Sequence, residues 1–160
     1  MIYKILGSGL IFAGSLIIYF EKRVNDTKSL KQANAYLKLL IHIKNKVETY
    51  SMPVEKIIAC CDTDIIEACG LSDFKSSFIS LSKCIENAAI ILDASTKKII
   101  LNFAEEFGTS YSVNQIKICE YYIQALKSRI SELKDSQGKN AKVYLALSLC
   151  ITLSLVLILL

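Results

Sequence analysis

The sequence has few of the residues that build metal centres and nucleotide-binding loops. It contains one histidine, His42, and none of its six cysteines forms a C-x-x-C pair, whereas zinc sites use closely spaced thiolates and imidazoles. No glycine-rich phosphate loop, zinc-protease motif or nucleophile elbow occurs in it. These absences argue against an enzyme, and we expect no catalytic residue, cofactor or metal ion.

Clustered positive charge is also missing from the middle of the chain. Residues 21–142 hold 18 basic and 15 acidic side chains, so their formal balance is 18 − 15 = +3. A nucleic-acid surface needs basic residues gathered on one face, so we predict no nucleic-acid partner. The cysteines are interpreted as reduced, mostly buried thiols in a reducing compartment. The adjacent pair Cys60 and Cys61 leaves a thiol enzyme as the least favoured alternative.

The sequence also lacks any sustained alternation of apolar and polar residues, which is the pattern of a half-buried strand. Apolar residues recur instead at heptad spacing, which predicts an all-α fold with two long antiparallel helices paired along their apolar seams. The predicted packing seam comprises Leu30, Leu37 and Leu40 in the first helix and Ile116, Ile123, Leu126, Ile130 and Leu133 in the last.

Proline and glycine are scarce, and their positions predict where helices begin and end. Pro53, the only proline, suits the first turn of a second helix. Gly70 predicts the end of a short helix, because glycine adopts the left-handed conformation that follows many helices. Ser95 or Thr96 is expected to cap a further helix. The last helix should relax at Gly138 before the final apolar run.

Both ends of the chain, in contrast, are long apolar runs. Residues 5–20 and residues 143–160 contain no charged side chain over 16 and 18 positions. Helices of these lengths span roughly 24 and 27 Å, against a hydrocarbon core of about 30 Å. We therefore predict transmembrane helices at residues 1–20 and 143–160, with a helical bundle domain at residues 21–142. The alternatives are a signal peptide for the first run, which lacks an A-x-A-like cleavage site, and a buried core helix for the second.

The basic residues that flank the apolar runs predict an orientation. Lys22 and Arg23 follow the first run, and Lys139 and Lys142 precede the second, whereas the outer side carries only Lys4. By the positive-inside rule the central domain is cytoplasmic and both termini lie outside the membrane. The lipid bilayer is therefore the first expected partner, and the four flanking basic residues are candidate functional residues.

The order of these features resembles the stage III sporulation protein AB family over essentially the whole chain. The features that carry the resemblance are the two apolar ends, a helix opening at Met52-Pro53-Val54, then Phe107-Gly108, Gln115, the Leu126 region, and the basic residues Lys139 and Lys142 before the last run. The chain departs from the family at Tyr111, where a second glycine is common, and in a last run without glycine.

The resemblance implies a component of a secretion-like channel complex in the mother-cell membrane that faces the forespore. The family's central domain is similar to the inner-membrane platform protein of type II secretion and type IV pilus machines. This similarity implies contact with a cytoplasmic ATPase and with other components of the same complex, and it leaves self-association open. The implied role is a non-enzymatic platform or scaffold. The alternative is an unrelated two-span membrane scaffold or regulatory protein.

Overall fold

The part of the chain that the structure describes consists of helices joined by short non-helical connections. This computed structural model describes residues 2–50, 56–57, 60–71, 81–88, 90–107 and 112–159, and most side chains of residues 2–18 and 140–159 lie outside the description. No strand occurs in these ranges, which confirms the predicted all-α fold. The helices are α1 (Ile2–Tyr50), α2 (Thr63–Cys69), α3 (Leu81–Asn87), α4 (Ala94–Glu106) and α5 (Ser112–Leu159).

The first and last helices are far longer than the helices between them whose bounds the structure describes. α1 has 49 residues and α5 has 48, whereas α4 has 13. The expected relaxation at Gly138 is wrong, because α5 continues through this position. A glycine costs a helix only about 1 kcal/mol relative to alanine, which is too little to interrupt a helix of this length.

The end of α2 follows from the single glycine that comes after it. Gly70 adopts the left-handed conformation, with φ 78° and ψ 24°, which carries little penalty without a Cβ. Its N–H donates to the Glu67 carbonyl, and the N–H of Leu71 donates to the Ile66 carbonyl. This pair of hydrogen bonds is the Schellman motif, and it confirms the helix end predicted at Gly70.

The start of α4 differs from the prediction. The capping residue is Asp93 rather than Ser95 or Thr96, because the Asp93 carboxylate accepts the backbone N–H of Thr96 at 3.2 Å. The Thr96 hydroxyl also donates to the same carboxylate. Thr96, in the first turn of α4, therefore donates both of these hydrogen bonds to the capping carboxylate. The segment 108–111, which holds Gly108, lies outside the described residues.

The chain forms two compact units. Unit 1 comprises Met1–Thr27 and Leu133–Leu160, and unit 2 comprises Lys28–Glu132. Unit 2 contains a hydrophobic core to which all five helices contribute. Among the described residues, no helix is both long enough and apolar enough to cross a membrane. Most side chains of the spans predicted at residues 1–20 and 143–160 lie outside the description.

The core face of α1 has a slightly different register from the predicted seam. Its side chains that are at most 2% exposed include Leu39, and the others form one row: Ala33, Tyr36, Leu40, Ile43 and Val47. Their spacing of three and four residues is that of a heptad seam. Tyr36 and Ile43 are thus core residues that the predicted seam left out, whereas Leu37, which it included, is only half-buried. A pattern of apolar residues misses a tyrosine easily, because its large apolar ring carries a polar hydroxyl.

Candidate functional site

Unit 1 holds a cavity of about 330 Å³. We call it the basic cavity, because its lining includes three cations, one carboxylate and two phenols: Lys22, Arg23, Lys134, Asp26, Tyr19 and Tyr144. The formal charge of these six side chains is 3 − 1 = +2. Its volume falls in the range of about 300–1,000 Å³ that small-molecule sites occupy. The cavity is the candidate functional site of this unit.

The α1 wall of the basic cavity follows from helical periodicity. Tyr19, Lys22, Arg23 and Asp26 stand at relative positions 0, 3, 4 and 7, which share one face of a helix. Lys22 and Arg23 were predicted as flanking basic residues, whereas Tyr19 and Asp26 were missed. The same spacing, read along the sequence, could have found them.

The α5 wall is built in the same way. Lys134, Gln137 and Gly138 stand at relative positions 0, 3 and 4, and Tyr144 comes seven residues after Gln137. A Cβ added at Gly138 would meet no atom within 4 Å. The glycine therefore leaves open space at this wall. None of these four was predicted as a site residue, although Gly138 was expected to relax the helix.

Lys22 and Tyr144 join the two walls. The Lys22 Nζ donates to the Tyr144 hydroxyl at 2.8 Å and lies 5.0 Å from the ring centre. Since the ammonium is much nearer the oxygen than the ring centre, it binds the phenol end rather than the ring face. This hydrogen bond is the main reason that the pKa of Lys22 is raised. The phenol accepts in this contact, so its own proton is left to donate to a further group.

A second contact shows that the two helices of unit 1 run antiparallel. Gln137 Nε2 donates to the Asp26 carbonyl at 2.8 Å. From Lys22 to Asp26 the chain advances along α1, while the partners go back from Tyr144 to Gln137 along α5. Within unit 1, the two chain ends are therefore arranged as a helical hairpin.

The other two predicted flanking residues lie apart from this group. Lys139 is exposed and is not among the residues that line the basic cavity. The side chain of Lys142 lies outside the described residues. The structure therefore brings together Lys22 and Arg23, adds Lys134 to them, and leaves Lys139 on an exposed surface.

The predicted packing seam contributes to the core of unit 2. Its buried members are Leu40, Ile123, Leu126 and Ile130, and its half-buried members packed against the core are Leu30, Leu37 and Ile116. Leu133 is half-buried and belongs to unit 1. The two long helices also meet in unit 2 through an ion pair between Lys44 and Glu120 at 2.8 Å. Both groups are partly exposed, so this pair contributes little to stability.

A buried amide joins three elements of unit 2. Gln32, on α1, donates to the carbonyl of Cys69 at 3.2 Å and accepts the N–H of Ile91 at 2.8 Å. Cys69 is the last residue of α2, and carbonyls in a last turn have no partner within their own helix. Gln32, only 8% exposed, therefore satisfies backbone groups that burial would otherwise leave without partners. Nothing in the heptad pattern identified it.

A partly buried ion pair lies beside α4. The Arg129 guanidinium on α5 contacts the Asp93 carboxylate at 3.0 Å and Glu132 at 2.8 Å. Burial alone would raise the pKa of Asp93, but hydrogen bonds from Thr96 and Arg129 outweigh it and hold the pKa below its ordinary value. Asp93 thus links the start of α4 to α5.

The cysteines and the histidine show no arrangement of a reactive centre. All six cysteines are free thiols, and three of them, Cys61, Cys69 and Cys119, are buried. Burial raises the pKa of each, to about 12 for Cys69 and Cys119, which is opposite to the activation of a nucleophilic thiol. The described residues contain no group of three or more potential metal ligands. The Nε2 atom of His42 is buried without a hydrogen-bond partner among them.

These features define an all-helical protein whose two long helices form a hairpin in one unit and flank a packed core in the other. The chain belongs to the stage III sporulation protein AB family, whose family model matches residues 4–160. The resemblance found in the sequence is thereby confirmed, and the protein is sporulation-related. No curated protein and no solved structure matches the chain.

Proposed function

We propose that the chain is a non-enzymatic membrane platform of a sporulation-specific, secretion-like channel between mother cell and forespore. Residues 1–20 and 143–160 would cross the mother-cell membrane that faces the forespore, with both termini outside. Residues 21–142 would be cytoplasmic and would engage a secretion-type ATPase and other components of the channel. Family membership supports the sporulation role, and the charge-free terminal runs support the membrane anchor.

The observation that carries this proposal is the antiparallel pairing of the helices in unit 1. Lys22 with Tyr144, and Asp26 with Gln137, join the two long helices next to the inner ends of the two apolar runs. A pair of membrane helices with basic residues at one shared end is the arrangement that the positive-inside rule describes. The raised pKa values of the buried thiols support a role without thiol catalysis.

The orientation can be tested with the native chain, because Cys60 is exposed in unit 2. In vegetative cells made to produce the chain, where the outer face of the membrane meets the medium, a membrane-impermeant maleimide should leave Cys60 unmodified before lysis and modify it after lysis. Peptide mass spectrometry measures the modification. As a control, the variant Leu160→Cys should be modified at its terminus in intact cells. Modification of Cys60 before lysis would reject a cytoplasmic unit 2.

The platform role can be tested separately in sporulating cells. Deleting the gene should move the secretion-type ATPase from the membrane fraction to the soluble fraction, and expression of the wild-type chain should restore it. A second peripheral membrane ATPase, of the general secretion pathway, controls for fractionation. An ATPase that stays at the membrane without this chain would reject the platform. The alternative of a two-span scaffold or regulator would then stand.

A further inference from the structure

We propose that the basic cavity of unit 1 binds a phosphate group, and that an anionic phospholipid of the membrane supplies it. This inference rests on the proposed membrane hairpin and names a ligand for it. Lys22, Arg23 and Lys134 surround the cavity and only Asp26 opposes them. A singly charged phosphate diester would therefore neutralise part of the formal charge of +2 and leave the site positive.

The donors around the cavity suit phosphate oxygens. Arg23 supplies a planar fork that can bind two oxygens at once, and Lys134 supplies a point charge. Neither side chain has an ion-pair partner among the described residues. The Tyr144 phenol already accepts from Lys22, so its proton can only be directed to another acceptor. Three kinds of donor thus line one cavity.

The position of the cavity along the chain fits a lipid headgroup. Lys22 comes two residues after the first apolar run, and Tyr144 is the second residue of the last run. Tyrosine and basic residues are enriched where membrane helices leave the hydrocarbon region. Basic pockets between membrane helices on the cytoplasmic side are known to bind anionic headgroups.

Exposed apolar side chains beside the cavity favour a lipid over a free phosphate. Val143, Leu147 and Ile151 stand four residues apart on α5 and are 56%, 51% and 50% exposed. On α1, Ile17 and Phe20 are exposed to 61% and 57%. The apolar side chains next to Tyr144 and Tyr19 would be covered by acyl chains, whereas inorganic phosphate would leave them in water.

Binding can be measured on the full chain in an uncharged detergent, by native mass spectrometry with phosphatidylglycerol as the probe. Phosphatidylglycerol should bind as one saturable adduct, about tenfold more tightly than phosphatidylcholine with the same acyl chains, as expected for one charge-assisted contact. Soluble glycerol phosphate should compete only weakly. Equal affinities for the two lipids would overturn the proposal. Full competition by glycerol phosphate would overturn the lipid as source.

Two lysines of α5 provide a matched pair of variants. Lys134→Gln should weaken phosphatidylglycerol binding about tenfold, whereas Lys139→Gln, which removes the same charge outside the cavity, should change it less than about twofold. Diffuse attraction to a charged surface predicts an equal or larger effect at Lys139, which is nearer the apolar run. That result would overturn a built site. Circular dichroism of both variants establishes that the helices are intact.

A third variant tests the cavity without changing its charge. Gly138→Leu would place a side chain in the open space at this wall and should weaken binding, although leucine stabilises the helix. Unchanged binding would overturn the assignment to this cavity. The assay needs neither the ATPase nor a bilayer orientation. Reversed thiol labelling or unaltered ATPase localisation would thus contradict the proposed function while leaving the lipid result to be judged by itself.

Discussion

Units 1 and 2 differ in how much of their apolar surface is enclosed. In unit 2 most apolar side chains are buried or half-buried, although Ile91 and Tyr121 are exposed, and the buried amide of Gln32 satisfies backbone groups. In unit 1, among the described side chains, the charged and phenolic residues surround a cavity while Ile17, Phe20 and Leu147 are mostly exposed. Unit 2 therefore has an enclosed apolar core, whereas the large apolar side chains described in unit 1 lie mostly on its surface.

This difference indicates what stabilises each unit. Burial of apolar surface stabilises unit 2, because its side chains leave water when the chain folds. The exposed apolar side chains of unit 1 gain nothing in this way unless lipid or detergent covers them. In detergent these side chains are covered in the folded and the unfolded state alike, so substitutions of the same type should have large effects in unit 2 and small effects in unit 1 when the full chain unfolds.

The largest contrast should come from two leucines in the long helices. Leu40 on α1 is 1% exposed and Leu147 on α5 is 51% exposed. Leu40→Ala should lower the free energy of unfolding by about 2–5 kcal/mol, because it leaves a cavity in the core. Leu147→Ala should lower it by less than about 0.5 kcal/mol. Denaturant titration followed by circular dichroism measures both, and equal losses would contradict the comparison.

Sequence patterns predicted these two regions unequally. The heptad spacing correctly indicated an all-α fold and core positions such as Leu126, because a helix buries every third or fourth residue. Gly70 marked a helix end because its conformation is a property of that one residue. The register at Tyr36 was missed, since the pattern does not show how deeply an aromatic ring with a polar tip is buried.

The basic cavity was predicted only in part for a different reason. Lys22 and Arg23 were visible as a charge next to an apolar run, whereas Lys134 lies 111 residues after Arg23. Only the pairing of α1 with α5 brings them together. Ser95 or Thr96 was likewise predicted as the cap instead of Asp93, because all three residue types cap helices. The tertiary contact with Arg129, which favours the aspartate, is not visible in the sequence.

Two glutamines give the next contrast. Gln32 satisfies a carbonyl at a helix end and an N–H of a connecting segment, whereas Gln137 donates to the Asp26 carbonyl within α1. A carbonyl inside a helix already accepts from its own helix. Gln32→Ala should therefore lower the free energy of unfolding by about 2–3 kcal/mol, since buried backbone groups lose partners. Gln137→Ala should lower it by less than about 1 kcal/mol.

The glutamine comparison uses the same denaturant titration. Gln32→Glu offers a further control, because its carboxylate can accept from Ile91 but, when ionised, cannot donate to Cys69. It should be destabilised as well. A Gln137→Ala variant as unstable as Gln32→Ala would show that unit 1 also depends on buried polar contacts, and the contrast between the units would fail.

The smallest of the three contrasts is expected at Asp93, whose side chain is partly exposed. Asp93→Ala removes both the helix cap and the contact with Arg129 and should cost about 1–2 kcal/mol. Asp93→Asn should cost less than about 1 kcal/mol, because asparagine also caps helices. The difference between the two variants separates the cap from the ion pair.

The pH dependence of Asp93 gives this comparison a direction. Its pKa is lowered in the folded chain, whereas an unfolded aspartate has a pKa of about 3.9. The folded state therefore binds the proton less readily, and ionised Asp93 contributes stability above the unfolded pKa that is lost as pH falls through the folded one. The wild-type chain should exceed Asp93→Asn in stability at pH 7, and the gap should close below about pH 4. Denaturant titrations of both proteins across this range measure the gap, and a gap that stays constant into acid would show that the Asp93 carboxylate does not stabilise unit 2 through its charge.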